Sequence, residues 1–285
     1  GRRPDRAPTQ EEVQRMIEAC DGLRDRALIA FLATSGLRLG TAIKLRYASV
    51  MEDLEAGRTP CCVYVPAELT KGKYGDYYTF INEEAAELLR LYLDARRKGL
   101  LSRSLPPEEI TPESPLFRDE RCREPRCMGY FAAYAAIKEA MERAGLNAKP
   151  PSPTLRPHSL RKFFKTQLTA AGVPYEYVEF MMGHRVSTYL DVKAKGVDFL
   201  RGLYRASGIS IKPRAGADKV ELLKELVRSL GFDPEKVLVK DALRAPHRTV
   251  VEGAEEALRR AVREAVIELV RAYGGLACTS ALSNK

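Results

Sequence analysis

Long apolar runs are missing from this sequence, and so is any dense set of cysteines. No run approaches the ~18 apolar residues that a membrane-spanning helix requires, and the N-terminal stretch GRRPDRAPTQ has no apolar signal core. Six cysteines in 285 residues are too few for a disulfide scaffold. These absences predict a soluble, cytoplasmic protein with no membrane partner and no disulfide framework.

Ligands for a metal ion are also sparse. Cys122 and Cys127 lie in an Arg-rich loop, but a zinc site needs a second pair of ligands. None of the three histidines supplies an obvious one. Free thiols, or an opportunistic disulfide, are therefore preferred over structural zinc, and we expect no metal.

Positive charge is in surplus. Lys and Arg total 47 against 38 Asp and Glu, which gives a net charge of +9 at pH 7 and a pI near 9.2. Such a surplus favours a polyanionic partner, with nucleic acid ahead of an anionic membrane surface. A basic protein without such a partner would show the same charge, so charge alone does not establish that the partner is a polyanion.

Capping signals and periodicity predict a mainly helical chain with one small antiparallel β-hairpin. Thr9-x-x-Glu12 is a capping box that begins the first helix. Cys62–Val65 and Tyr77–Ile81 predict two short strands, and Thr70–Asp76 supplies the turn and a lysine-bearing tip. Further helices are predicted over about 23–34, from near Arg38, and over about 82–98, 129–144, 158–171, 174–182 and 197–207, with an exposed loop over 102–115.

Four short fragments contain residue types that suit phosphate chemistry. They are Ser35-Gly-Leu-Arg38, Thr70-Lys71-Gly-Lys73, Pro157-His158-Ser-Leu-Arg161-Lys162 and Met182-Gly-His184-Arg-Val-Ser-Thr-Tyr189. Each fragment alone has an ordinary structural explanation. Together, two arginines and a lysine can hold a phosphodiester, because the guanidinium binds bidentately and the ammonium acts as a point charge. A nearby tyrosine could then attack the phosphorus.

The predicted backbone brings these groups to one region. His158 and Arg161 are three positions apart on a helix, so their side chains point the same way. Phe163 and Phe164 lie on other parts of that helix and can anchor it in the core. Arg38 follows a break between two apolar helices, where a buried scaffold can direct its guanidinium into a cleft.

The order of the four fragments resembles the tyrosine recombinases (phage-integrase family), particularly Xer-like and archaeal members, over about residues 9–208. The segment around Arg38 is similar to the family's first box, and Lys71 matches the lysine of its hairpin motif. His158–Lys162 resembles the His-x-Leu-Arg-His box, and Met182-Gly-His184 resembles the Leu-Gly-His box. The resemblance implies the family's catalytic fold, which is mainly α-helical with a small antiparallel sheet.

The nucleophile departs from the usual spacing. In the family it lies about nine residues after the Gly-His histidine, and that position here is Lys193. Tyr189 and Tyr204 therefore compete. Tyr189-Leu-Asp-Val192 resembles the family's Tyr-Thr-His-Val, whereas Tyr204 resembles a packing residue of the following helix. We prefer Tyr189, after a shortened loop, with Tyr204 as the alternative.

Two further positions differ from the family. The acidic residue expected three positions after the first arginine is Thr41, and Lys162 stands where many members have His. By resemblance, the first of these positions supports the site from its second layer, so Thr41 weakens the match only slightly.

The resemblance implies transesterification without metal, ATP or any cofactor. Arg38, Arg161 and His184 would bind the scissile phosphate, Tyr189 would attack it, Lys71 would be the general acid and His158 the general base. Additional contacts to DNA are expected from Lys73, Lys162 and Arg185. The implied partners are double-stranded DNA and further copies of the chain, as a dimer or tetramer on DNA.

Two other functions stay open at this point. A type IB topoisomerase would use the same chemistry to relax supercoils, although its nucleophile usually lies far from the histidine box. A non-catalytic DNA-binding regulator would require a decayed site, and the set of catalytic residue types is intact. Integrase, resolvase and transposase are not separated by these residues, and we expect a nucleoid-associated protein of prokaryotic, archaeal, viral or plasmid origin.

The sequence divides into three parts. We predict a catalytic domain over residues 1–208, a linker over 209–217 and a helical extension over 218–285, whose last helix carries an apolar stripe. Members of the family usually have an N-terminal helical domain that clamps the other DNA face. This chain begins almost at the first catalytic helix, through truncation or as an unusual natural form.

Overall fold

A computed structural model describes residues 5–70, 72, 75–102, 104–146 and 155–212. Lys71 and Lys73 lie outside the described residues, as do most of the predicted linker and the whole predicted extension over 218–285. None of the described helices combines the length and the apolar character of a membrane span.

The described chain is mostly helical and contains one two-stranded antiparallel sheet. This confirms the predicted fold class. The elements are α1 Gln10–Glu18, α2 Leu23–Ser35, α3 Leu39–Ala42, α4 Met51–Glu55, β1 Cys61–Val65, β2 Tyr77–Ile81, α5 Glu83–Arg97, α6 Tyr130–Arg143, α7 Ser159–Ala170, α8 Tyr175–Met181, α9 Tyr189–Ala194 and α10 Val197–Ser207.

Helix α2 forms the centre of the core. Every residue from Ala27 to Ser35 is buried, as expected for a helix that is apolar on all sides. It packs against α1, α5 and α7. Two of these neighbours begin at side-chain caps: the Thr9 hydroxyl accepts from the Glu12 amide, as predicted, and the Asn82 side chain accepts from the Ala85 amide.

The two strands pair in antiparallel register. Cys61 pairs with Ile81 and Val65 pairs with Tyr77, so the strands match the prediction to within one residue. Strand β2 also packs against α2, α8 and α10. The sheet therefore lies next to the helices α8 and α10.

Helix α10 is anchored by polar contacts in the core. The Arg201 guanidinium donates to the Asp53 carboxylate and to the Pro60 carbonyl, each at 2.5 Å. The Tyr204 hydroxyl donates to the Thr34 carbonyl at 2.7 Å. These bonds tie the last described helix to α2 and to the start of the sheet.

The sequence predicts an exposed loop over 102–115, but part of this loop is buried. The Glu108 side chain is 6% exposed and pairs with Arg96 and Arg118, which are themselves almost fully buried. Burial alone would raise the pKa of Glu108, but hydrogen bonds from both arginines outweigh it, and the pKa lies below its ordinary value. The buried cations explain why this loop turns a carboxylate inward.

Candidate active site

Arg38 is positioned by the turn that ends α2. Gly36 has a φ of +68°, and a Cβ atom there would overlap the ring of Phe164, so the turn requires glycine. Arg38 follows in an extended conformation as the N-cap of α3. Its guanidinium donates to the Gly183 carbonyl at 3.3 Å.

Arg161 connects the same turn to the end of α8. It is 3% exposed, and Nη1 donates to the Gly36 carbonyl at 2.7 Å. Nη2 donates to the Met182 carbonyl at 3.1 Å and lies 2.9 Å from His184 Nε2. The two predicted arginines and His184 therefore meet around two turns, one at Gly36 and one at Met182–His184.

His184 is held from its other side by a residue that the motifs did not indicate. Its Nδ1 lies 2.5 Å from Glu179 Oε2, and Lys165 donates to Glu179 Oε1 at 2.7 Å. Glu179 lies five residues before His184 in a helix of mixed composition. That spacing is too common to identify a partner from sequence.

His158 is exposed at the N-cap of α7. The neighbouring Lys162 donates to the Asp5 carbonyl at 2.5 Å and lies 3.2 Å from the Asp5 carboxylate. The Ser159 hydroxyl donates to the same carboxylate at 2.5 Å. Lys162, a predicted DNA contact, is thus already paired, whereas the predicted contact Arg185 is exposed.

Tyr189 is the first residue of α9 and is half-buried. Its hydroxyl donates to the Asp76 carbonyl, and its ring packs on Phe180 with centroids 5.6 Å apart. Lys193 pairs with the Asp76 carboxylate at 2.5 Å, and its ammonium lies 5.8 Å from the Tyr189 ring centroid. Tyr189 therefore lies beside Asp76, the residue that leads into β2.

Tyr204, the alternative nucleophile, is a core residue. It is 1% exposed, and its ring packs against Phe80 and Phe164 with centroids 5.6 and 6.3 Å away. Burial raises its pKa well above the ordinary value of 10.0. A tyrosine in this environment is unsuited to attack a solvent-borne phosphate.

Both site histidines are less basic than a free imidazole. Burial lowers the pKa of His158, and Arg161, Lys162 and Arg38 lower it further, whereas Asp5 raises it. Burial also lowers the pKa of His184; Glu179 opposes this, and Arg161 and Arg38 reinforce it. The histidines are therefore neutral near pH 7 and able to accept a proton or a hydrogen bond.

These shifts predict that mild acid destabilises the fold. Below the ordinary pKa of 6.5, the unfolded chain binds protons that the folded chain does not yet bind, so the free energy of unfolding falls as pH falls. Urea unfolding at pH 7.5, 6.5 and 5.5 should show a steady decline. His158 is exposed, so His158→Asn should fold and should reduce the dependence of the unfolding free energy on pH. A free energy of unfolding that rises as the pH is lowered from 7.5 to 5.5 would contradict the lowered histidine pKa values.

The assembled groups suit an oxyanion. Two guanidinium groups and an imidazole lie together, and a second imidazole, that of His158, lies at the start of the same helix as Arg161. Fixed guanidinium donors stabilise negative charge on a phosphate as it develops. Among the described residues, no group of three or more His, Cys, Asp and Glu side chains could hold a metal ion.

Comparison with known proteins gives consistent matches. The model of the phage integrase family matches residues 7–193. The chain is 29% identical over 181 residues to tyrosine recombinase XerD of Neisseria meningitidis serogroup A, a match that covers 62% of this chain and 53% of that protein. The chain thus spans about half the length of the curated relatives it matches.

Solved structures agree in fold. XerA recombinase aligns with a TM-score of 0.50 and 19% identity, covering 81% of this chain and 65% of that one. The integrase from mycobacterium phage Brujita aligns with a TM-score of 0.50 and 21% identity, covering 78% and 63%. Both likenesses concern the arrangement of helices and strands.

Proposed function

The chain belongs to the phage integrase family, and on that premise we propose that it is a tyrosine recombinase, which cuts and rejoins double-stranded DNA at specific sites. The observation that carries the proposal is the meeting of Arg38, Arg161 and His184 around the turns at Gly36 and Met182–His184. Motif order selected these three residues as phosphate ligands, and independent segments of the chain bring them together.

In the proposed reaction, Arg38 and Arg161 bind the non-bridging oxygens of the scissile phosphate and stabilise their growing negative charge. The hydroxyl oxygen of Tyr189 forms a bond to phosphorus as the bond from phosphorus to the 5′-oxygen breaks. His158 accepts the phenolic proton and Lys71 donates a proton to the leaving 5′-oxygen. One phosphoester replaces another, so no ATP is consumed, and the reverse steps rejoin the strand.

The proposed partners are duplex DNA and other copies of the chain. Strand exchange between two duplexes requires several active sites, so we propose a dimer or tetramer on DNA. The basic charge supports an anionic partner, and the matched relatives are bacterial proteins named tyrosine recombinases. The proposed setting is the cytoplasm and its nucleoid, with residues 1–208 as the catalytic domain and 218–285 as an extension.

The direct test is capture of the covalent intermediate. A nicked duplex that loses a short strand after cleavage cannot be religated, so a recombinase remains attached to the 3′ end. Denaturing electrophoresis should show a protein–DNA adduct without added metal or ATP, and mass spectrometry of the digested adduct should find the nucleotide on Tyr189. Supercoil relaxation without preference for any site would indicate a topoisomerase instead.

Affinity for duplex DNA should fall steeply with salt. Each phosphate contact releases counterions and adds about −0.9 to the slope of log K against log salt concentration. Fluorescence anisotropy with a labelled duplex measures that slope. Arg185→Ala, which removes an exposed cation beside the site, should reduce its magnitude by about 1.

The matched control for that measurement is Arg143→Ala. Arg143 pairs with Asp21 and Glu139 at the far end of α6, and its removal should leave the slope unchanged. Binding that does not respond to salt would contradict the proposal that DNA phosphates are the ligand.

A further inference from the structure

The carboxylate of Glu179 lies between one cation and one imidazole. Glu179 is 7% exposed, Oε1 accepts from Lys165 at 2.7 Å, and Oε2 lies 2.5 Å from His184 Nδ1. Lys165 belongs to the same helix as Arg161, and its ammonium also rests 4.8 Å from the Tyr175 ring centroid. Each carboxylate oxygen therefore has its own donor.

The contacts of His184 select one form of its ring. A guanidinium has N–H donors and no acceptor, so His184 Nε2, 2.9 Å from Arg161 Nη2, has to accept. The ring proton is then on Nδ1 and donates to Glu179 Oε2. A proton on Nε2 would face an N–H group of Arg161 and would lose the bond to the carboxylate.

We propose that Glu179 is a positioning residue that, together with Lys165, holds His184 as the neutral Nδ1–H tautomer and so offers Nε2 as an acceptor to Arg161. This inference deepens the proposed function, on which it rests for its catalytic meaning. It gives Arg161 three acceptors, namely two backbone carbonyls and an imidazole, which fix the plane of the guanidinium before a phosphate arrives.

The charges around the pair are consistent with this arrangement. Burial alone would raise the pKa of Glu179, but Lys165 and His184 lower it below its ordinary value, so the carboxylate is ionised at neutral pH. The groups that face His184 are Glu179, Arg161 and Arg38, and its pKa also lies below the ordinary value. An ionised acceptor and a neutral imidazole make the bond to Nδ1 strong.

The test uses the tautomer itself as a readout. In the full chain with ¹⁵N-labelled histidine, NMR should show His184 as the Nδ1–H form, with the signal assigned by replacing each of the other two histidines in turn. In Glu179→Gln the side-chain amide has only one oxygen. Because the Lys165 ammonium can only donate, this oxygen should turn to Lys165, and the NH₂ group of the amide should then face His184 Nδ1. The Nδ1 proton should then be lost to Nε2, and the His184 titration should move to lower pH.

A double variant distinguishes a change in the His184 tautomer from a general disturbance of the fold. In the double variant Lys165→Met with Glu179→Gln, the amide oxygen is free to face His184, and the Nδ1–H form should return. Glu176→Gln changes an exposed carboxylate of the same helix and should leave the spectrum as in the wild type. An Nε2–H form in the wild type, an unchanged tautomer in Glu179→Gln, or no return in the double variant would each overturn the proposal.

Cleavage rates complete the test. Single-turnover cleavage should be about 10- to 100-fold slower in Glu179→Gln, the range found for outer hydrogen-bond partners of metal-bound histidines, and should recover to near the wild-type rate in the double variant. A wild-type rate in Glu179→Gln would overturn the positioning role. If the chain makes no adduct at all, the proposed function fails, while the tautomer measurement still decides the role of Glu179 in the folded protein.

Discussion

Tyr189→Phe should abolish the covalent protein–DNA adduct while DNA binding persists. The change removes one oxygen, the only atom of that side chain able to bond to phosphorus, and leaves the ring packed on Phe180. Loss of a nucleophile should lower the cleavage rate by at least about 10³-fold. Denaturing electrophoresis on the nicked substrate measures the adduct, and anisotropy on an intact duplex measures the retained affinity.

Tyr204→Phe is the matched control for that experiment. It also removes one phenolic oxygen, but this oxygen donates to the Thr34 carbonyl inside the core. Leaving that acceptor without its donor should cost about 1–3 kcal/mol of unfolding free energy, and the folded fraction should still form the adduct. Loss of the adduct in Tyr204→Phe, with retention in Tyr189→Phe, would exchange the two assignments.

Arg161→Lys should produce the second large loss. A lysine keeps the charge but has a single compact head group in place of the planar fork. It cannot reach the Gly36 and Met182 carbonyls and His184 with the spacing of a guanidinium. Cleavage should slow by about 10²- to 10³-fold, the effect expected when a fixed donor to a developing charge is removed.

The buried position of Arg161 requires a stability measurement beside the rate. At least one carbonyl left without a donor should cost about 1–3 kcal/mol, so rates are compared at a temperature where urea unfolding shows the variant to be folded. Arg143→Lys is the control, because its ion pairs with Asp21 and Glu139 are exposed and its cleavage should be unchanged. A wild-type rate in Arg161→Lys would remove Arg161 from the proposed site.

The sequence predicts the elements and the central cluster well because both are encoded locally. The capping box at Thr9, the apolar run of α2 and the glycine at position 36 each act over a few neighbouring residues. The motifs around Arg38, Arg161 and His184 are similarly short. Their resemblance to the family's motifs predicts that they meet, and the contacts of Arg38 with Gly183 and of Arg161 with Gly36 and His184 bring the three residues together.

Several ion pairs cannot be predicted from the sequence, because no motif marks their partners and most of them depend on how separate segments approach one another. Glu108 lies in a proline-rich segment that is typical of solvent-exposed loops, and only the buried Arg96 and Arg118 explain its inward position. Glu179 has no motif of its own. Lys193 stands where the family's nucleophile is usual, and its pairing with Asp76 arises only once α9 lies against the start of β2.

The turn at Gly36 has a consequence for how the site moves. Arg38 follows this turn by two residues, and Arg161 is bonded to the carbonyl of the same glycine. Displacement of that peptide would therefore act on an anchor of both guanidinium groups. The spacing of the pair, which has to match the oxygens of one phosphate, depends in part on this single turn.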